Sequence, residues 1–294
     1  MRITKRKLLV VFALLTTAAW LGSSGVAVWI MTRRQYPIEA EPTPNVPWAT
    51  LELHRLDTSD GETIGAWLAR GKASRPCVLL LHGLDGTRVE MLPVMEALAE
   101  EEITSMAITL RAHGDSTGDM LDFGYSSRLD VVAAVELLEA EFPGRPIIII
   151  GSSMGAATAL FAAKELGNRV DGYLLESCYK DLGSETWRVL QEQLPPIVDV
   201  IAYAGFWISG HAVLPVSPSR ISPRYHARHV PQEVPVVVIS GAKDAQLSPE
   251  EARAVFEPVK SHGRFVLFED AQHADLFDSD RGRYLAILLE LVAK

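Results

Sequence analysis

The sequence predicts an α/β fold, a mostly parallel sheet of about eight strands with helices on both faces, and three observations carry that prediction. Short apolar runs of strand type recur at 77–81, 105–110, 147–150, 172–178, 235–240 and 265–268, most of them followed by a helical pattern. Ile147 to Ile150 are four consecutive isoleucines, which suits a strand buried on both faces of a parallel sheet. The chain has 294 residues, 48% of them hydrophobic, enough to bury a single large core.

From the N-terminus, Arg2, Lys5, Arg6 and Lys7 precede an uncharged stretch over 8–31, and Arg33 and Arg34 follow it. Twenty-four such residues can span a bilayer. The excess of basic residues before the span predicts a cytoplasmic N-terminus, with 35–294 on the non-cytoplasmic side of a single-pass signal anchor. A cleaved signal peptide, with its apolar region over 8–21 and a cut near Gly25 or Ala27, is the competing expectation and would give a secreted protein. The apolar run continues through 26–31, past any such cut, and favours the anchor.

Pro37, Pro42, Pro44 and Pro47 mark 35–49 as an extended, stiff spacer, with the folded domain expected over 50–294. That domain opens with strands at 50–56 and 63–70 around Asp60-Gly61, an antiparallel hairpin. Helices are expected at 89–101, 126–142, 154–166, 248–259 and 281–292. The fourth begins Ser248-Pro249-Glu250-Glu251, a capping box with proline at its first helical position. Residues 179–233 contain no clear strand but do contain amphipathic patches, among them Trp187, Leu190, Tyr203 and Phe206, and predict a helical lid. Residues 197–214 are apolar, yet Asp199, His211, two glycines and the preceding Pro195-Pro196 argue against a second membrane span.

Net charge is −9, and because residues 1–34 hold six basic residues and no acid, residues 35–294 carry −15. So acidic a body argues against nucleic acid as a partner. Cys77 opens one predicted strand and Cys178 closes another, so a parallel sheet puts them at opposite ends and two buried thiols are expected, not a disulfide.

The chemistry centres on Gly151-Ser152-Ser153-Met154-Gly155, between the isoleucine strand and a small-residue helix ending at Gly167. Gly151 and Gly155 permit a tight turn that exposes Ser153 as a nucleophile, with Ser152 turned away. A serine hydroxyl needs a histidine to take its proton and a carboxylate to orient that histidine. Asp244, after the penultimate strand, and His273, after the last, supply both. Asp181, just past the strand at 172–178, is the main rival acid; Asp85, Asp270, Asp275 and Asp278 read as loop residues. His226 and His229 lack the cysteine or carboxylate cluster of a metal site, and no metal or cofactor is expected.

In that chain order of serine, aspartate and histidine, the body from about Thr50 resembles an α/β-hydrolase of the serine-aminopeptidase-like and esterase-like branches. His82-Gly83-Leu84-Asp85-Gly86 is similar to the family's His-Gly oxyanion loop, and Arg111-Ala112-His113-Gly114-Asp115-Ser116 to its Arg-x-His-Gly-x-Ser loop. The resemblance implies that the backbone N–H groups of Leu84 and Met154 hold the developing oxyanion, with Gly83 allowing close approach. His82 and His113 are expected to hold loops by hydrogen bonds. The leading expectation is a carboxylic-ester hydrolase acting on a small molecule. A peptidase reading a free amino terminus through Glu185, Glu192 or Asp199 is the alternative, and a non-catalytic binding protein is the third.

Overall fold

The computed structural model describes residues 5–273 and 275–293, which form two compact units. The larger comprises Arg34–Asp181 and residues from Ser222 onward; the smaller comprises residues up to Arg33 and Leu182–Ile221.

The larger unit is built on eight strands: β1 (Leu51–Asp57), β2 (Thr63–Ala69), β3 (Cys77–Leu81), β4 (Thr104–Thr109), β5 (Ile147–Ser152), β6 (Gly172–Glu176), β7 (Val236–Gly241) and β8 (Gly263–Phe268). Their spatial order is β1-β2-β4-β3-β5-β6-β7-β8. The Asp60-Gly61 turn makes β1 and β2 an antiparallel hairpin, β2 pairs antiparallel with β4, and every later pair is parallel. The isoleucine strand β5 lies between β3 and β6, so all six of its residues are buried.

Helix α1 (Lys5–Met31) precedes the sheet; α2 (Leu92–Glu100), α3 (Arg128–Glu141) and α4 (Met154–Leu166) follow β3, β4 and β5. After β6 come α5 (Leu182–Gln193), α6 (Val198–Val213) and α7 (Pro223–His226); α8 (Pro249–Phe256) follows β7, and α9 (Leu276–Ser279) and α10 (Arg281–Val292) close the chain. Alternate strand residues such as Leu80, Ile148, Ile150 and Val237 meet Met95 and Leu98 of α2 and Leu288 of α10 in one core. Helices α3 and α4 pack on each other, and α4 packs on β5. Ser248 caps α8, its Oγ accepting from the Glu251 N–H, while the Glu251 carboxylate that the capping box would turn back to Ser248 accepts from Lys180.

Residues 35–49 do not form the expected spacer. The prolines keep the backbone extended, but its charged and apolar side chains dock on the body. Arg34 donates through its backbone N–H to Asp119 O (2.9 Å) and through Nε to Gly118 O (3.0 Å). Glu41 pairs with Arg88 at 2.7 Å, while Val46 and Trp48 pack against the core. Arg88 is fully buried, grips Asp115 with both terminal nitrogens (2.6 and 2.8 Å) and stacks over Trp67. Arg88→Met leaves the largely buried Glu41 side chain without its cation and Asp115 to Arg55 (3.2 Å), so an unfolding free energy lower by about 3 kcal/mol is expected by urea denaturation. A loss below about 1 kcal/mol contradicts this role for the strap.

In the smaller unit, α1 is long and apolar enough to cross a membrane by length and composition. The insertion is narrower than the sequence predicted, 182–221 in place of 179–233. Residues 222–233 belong to the body because Arg224 N–H bonds to Lys180 O (3.1 Å) and Pro223 and Ala227 are buried. Glu185 and Glu192 both pair with Arg188. Cys77 and Cys178 lie at opposite ends of the sheet as buried free thiols, and burial pushes the Cys77 thiol up to about 11.

Candidate active site

Ser153 is the single residue between β5 and α4, with φ +51° and ψ −112°. A non-glycine residue rarely adopts a positive φ, so the turn must be held from outside. The Ser153 N–H donates to Glu176 O of β6 at 2.8 Å, which is one such hold. The flanking glycines are the other. A Cβ on Gly155 would lie 2.4 Å from Leu81 O, and one on Gly151 would lie 2.5 Å from Gly155 O. Only glycine lets α4 start this close to β3. Ser152, in β5, is buried while Ser153 is half-exposed.

Two further strand ends deliver the partners. The loop after β7 carries Asp244 and the loop after β8 carries His273; the two are bound together by Ala242 N–H to Phe268 O (2.8 Å) and Lys243 N–H to Ala271 O (3.0 Å). Gly241 allows this, since a Cβ there would sit 2.3 Å from Ala271 O. His273 Nε2 lies 3.2 Å from Ser153 Oγ, and its Nδ1 lies 2.9 Å from Asp244 Oδ2. The other oxygen of Asp244 accepts N–H bonds from Gln246 (2.9 Å) and Leu247 (2.8 Å). Burial pushes the Asp244 carboxyl up, but the hydrogen bond from His273, the Leu247 N–H and the charge on His273 outweigh it and hold it below the usual range. Both ring nitrogens of His273 are thereby engaged, leaving none for Asp181. Asp270 pairs with Lys243, and Asp275 accepts from the Gln272 N–H (2.6 Å), both loop roles.

Gly83 sits beside the serine, where a Cβ would come within 3.7 Å of Ser153 Cβ. Leu84 follows it, and Met154 opens α4 directly after Ser153. The two loop histidines secure this side. His82 is fully buried, donates from Nδ1 to Gly83 O (2.6 Å) and accepts the Leu110 N–H at Nε2 (2.9 Å). Burial and the neighbouring His113 lower it to about 3, so it stays neutral. His113 reaches Leu84 O through Nε2 and Arg111 O through Nδ1 (2.8 Å), tying one loop to the other.

Sequence reasoning missed Glu176, whose backbone carbonyl holds Ser153 and whose side chain is buried against Tyr284, the hydroxyl donating to Oε1. A lone acid at the end of an otherwise apolar strand was the available signal. Burial pushes this carboxyl from about 4.5 up to about 7. Between those values the folded state keeps a proton that the unfolded chain has released, so stability falls as pH rises, by up to about 1.4 kcal/mol per pH unit, and levels above pH 7. Asp130, raised by burial to about 6, contributes in the same direction and persists in a Glu176→Gln variant. That variant is expected to gain stability over the parent on going from pH 5 to pH 8; equal pH profiles in urea titrations would remove the assignment.

Residues 72–202 match the family model described as serine aminopeptidase, S33, a stretch that includes Ser153 and ends before Asp244 and His273. Protein bem46 of Schizosaccharomyces pombe is 25% identical over 264 residues, covering 87% of this chain and 81% of its own. An uncharacterized membrane protein of Saccharomyces cerevisiae is 22% identical over 240 residues, covering 81% and 78%. The Pyrococcus furiosus esterase Pf2001 superposes with a TM-score of 0.68 at 21% identity, over 88% of this chain and 98% of that one. The chain has the α/β-hydrolase fold, and its similarities lie among serine-aminopeptidase-like and esterase proteins.

Proposed function

We propose that the chain is a serine hydrolase that cleaves carboxylic esters through Ser153, His273 and Asp244, anchored by α1 with its larger unit on the non-cytoplasmic side. The observation that carries the chemistry is the relay of 3.2 and 2.9 Å contacts assembled from three separate strand ends. In this reading Ser153 Oγ attacks the ester carbonyl carbon while its proton passes to His273 Nε2. The N–H groups of Leu84 and Met154 hold the carbonyl oxygen as it becomes an oxyanion. Collapse breaks the bond to the alkoxy group, which leaves as an alcohol with the proton from His273. Water, deprotonated by His273, then attacks the acyl-serine, releasing the acid and returning the proton to Ser153. Asp244 keeps the imidazole oriented and offsets its charge during both transfers.

A peptidase is the second reading, favoured by the description of the matching family model. Glu185 and Glu192 weigh against it, since each is already paired with Arg188. The full chain assayed on a panel of p-nitrophenyl acyl esters and of short peptides separates the readings. Ester turnover with inert peptides is expected; cleavage of peptides with inert esters overturns the ester assignment, and inertness to both leaves a binding protein.

The anchor reading rests on α1, whose apolar length suits a span. The basic residues ahead of it support the proposed orientation.

A further inference from the structure

The insertion is unusually poor in charge. From Gln193 to Ser219 it contains no lysine or arginine and a single acid, Asp199, which is buried. Over the same stretch it exposes large apolar side chains: Ile197 is 73% exposed, and Val198, Val200, Ile201 and Ile208 each about half. Ile201 and Ile208 are seven residues apart, so they share one face of α6. Water-facing surfaces of soluble domains seldom gather such a patch.

The buried side of α6 is packed against α1 within the smaller unit. Gly205 meets Ser24 so closely that a Cβ would lie 2.2 Å from Ser24 Oγ, and Ser209 Oγ donates to Leu21 O at 3.5 Å. Small residues at a helix crossing let backbones approach, and hydroxyls bond across it, as between helices in lipid. Around that crossing α1 exposes Leu14, Val26, Trp29 and Ile30. The apolar surface of α6 therefore continues the apolar surface of α1.

We propose that α6 is a second membrane-seated element, inserted beside α1 with its Ile197, Ile201 and Ile208 face against lipid. The occupant of that face is the bilayer that holds α1, so the proposal rests on the anchor reading. With 16 residues, α6 is about 24 Å long, short of the ~30 Å hydrocarbon core, and it enters one leaflet without crossing. The insertion leaves and returns at one place, Leu182 N–H bonding to Ile221 O at 2.9 Å, as a segment that dips in and comes back requires.

The test uses the full chain in phosphatidylcholine vesicles, with an environment-sensitive nitrobenzoxadiazole probe on one introduced thiol at a time: Leu14→Cys, Ile201→Cys or Lys260→Cys. Both native thiols are buried, so labelling stays at the new site. Acyl-brominated lipids are expected to quench the Leu14 and Ile201 probes at least twofold and leave the Lys260 probe unchanged. Quenching at Leu14 with none at Ile201 overturns the seating of α6 while the anchor stands. No quenching at either site overturns both. Ile208→Cys gives an independent reading of the same face, expected to match Ile201.

Discussion

Ser153→Ala is expected to lower ester turnover about a millionfold with little change in substrate affinity. The alanine keeps the turn, because the N–H bond to Glu176 O and both flanking glycines are untouched. In the proposed reaction it removes the one protein atom that bonds to the substrate. The double variant Ser153→Ala/His273→Ala is expected to be no slower than either single one, since nucleophile and base act as a unit. Ser152→Ala, in contrast, should retain most activity, its side chain being buried in β5. The check is steady-state hydrolysis of the best ester on the panel, with circular dichroism confirming that each variant is folded.

Asp244→Asn is expected to cost about 10⁴-fold in turnover with the fold intact. An asparagine presents an N–H where the carboxylate accepted one, which favours the wrong tautomer of His273 or turns its ring from Ser153. The carboxylate oxygen at 2.9 Å from Nδ1 and the two loop N–H groups on its partner oxygen define a site built for the anion. Asp181→Asn is the matched comparison and is expected to change turnover less than twofold. A large loss at Asp181 with a small one at Asp244 would reassign the acid.

Much of this was written locally in the sequence. The four isoleucines, the small residues of α4 and the Asp60-Gly61 turn state periodicity and backbone conformation directly, so β5, α4 and the hairpin fall within a residue or two of their expected bounds. The meeting of Ser153, Asp244 and His273 was legible because each follows a strand, and apolar runs mark strand ends well. What was not legible depends on partners far apart in the chain. Nothing near Arg34 or Glu41 announces that 35–49 docks on the body, because their partners lie at Gly118, Asp119 and Arg88. Glu176 carries no local sign of its partner, because Tyr284 lies 108 residues away. The pairing of α1 with α6 is hidden for the same reason: each helix reads as apolar alone, and only the fold brings Ser24 to Gly205.

The nucleophile is the central claim, and trapping it covalently tests it most directly. The full chain treated with a fluorophosphonate, digested and mapped by tandem mass spectrometry is expected to carry one phosphonyl group on Ser153, absent after Ser153→Ala and retained after Ser152→Ala. Labelling that persists in Ser153→Ala, or an adduct mapped to another residue of the folded protein, would contradict the account.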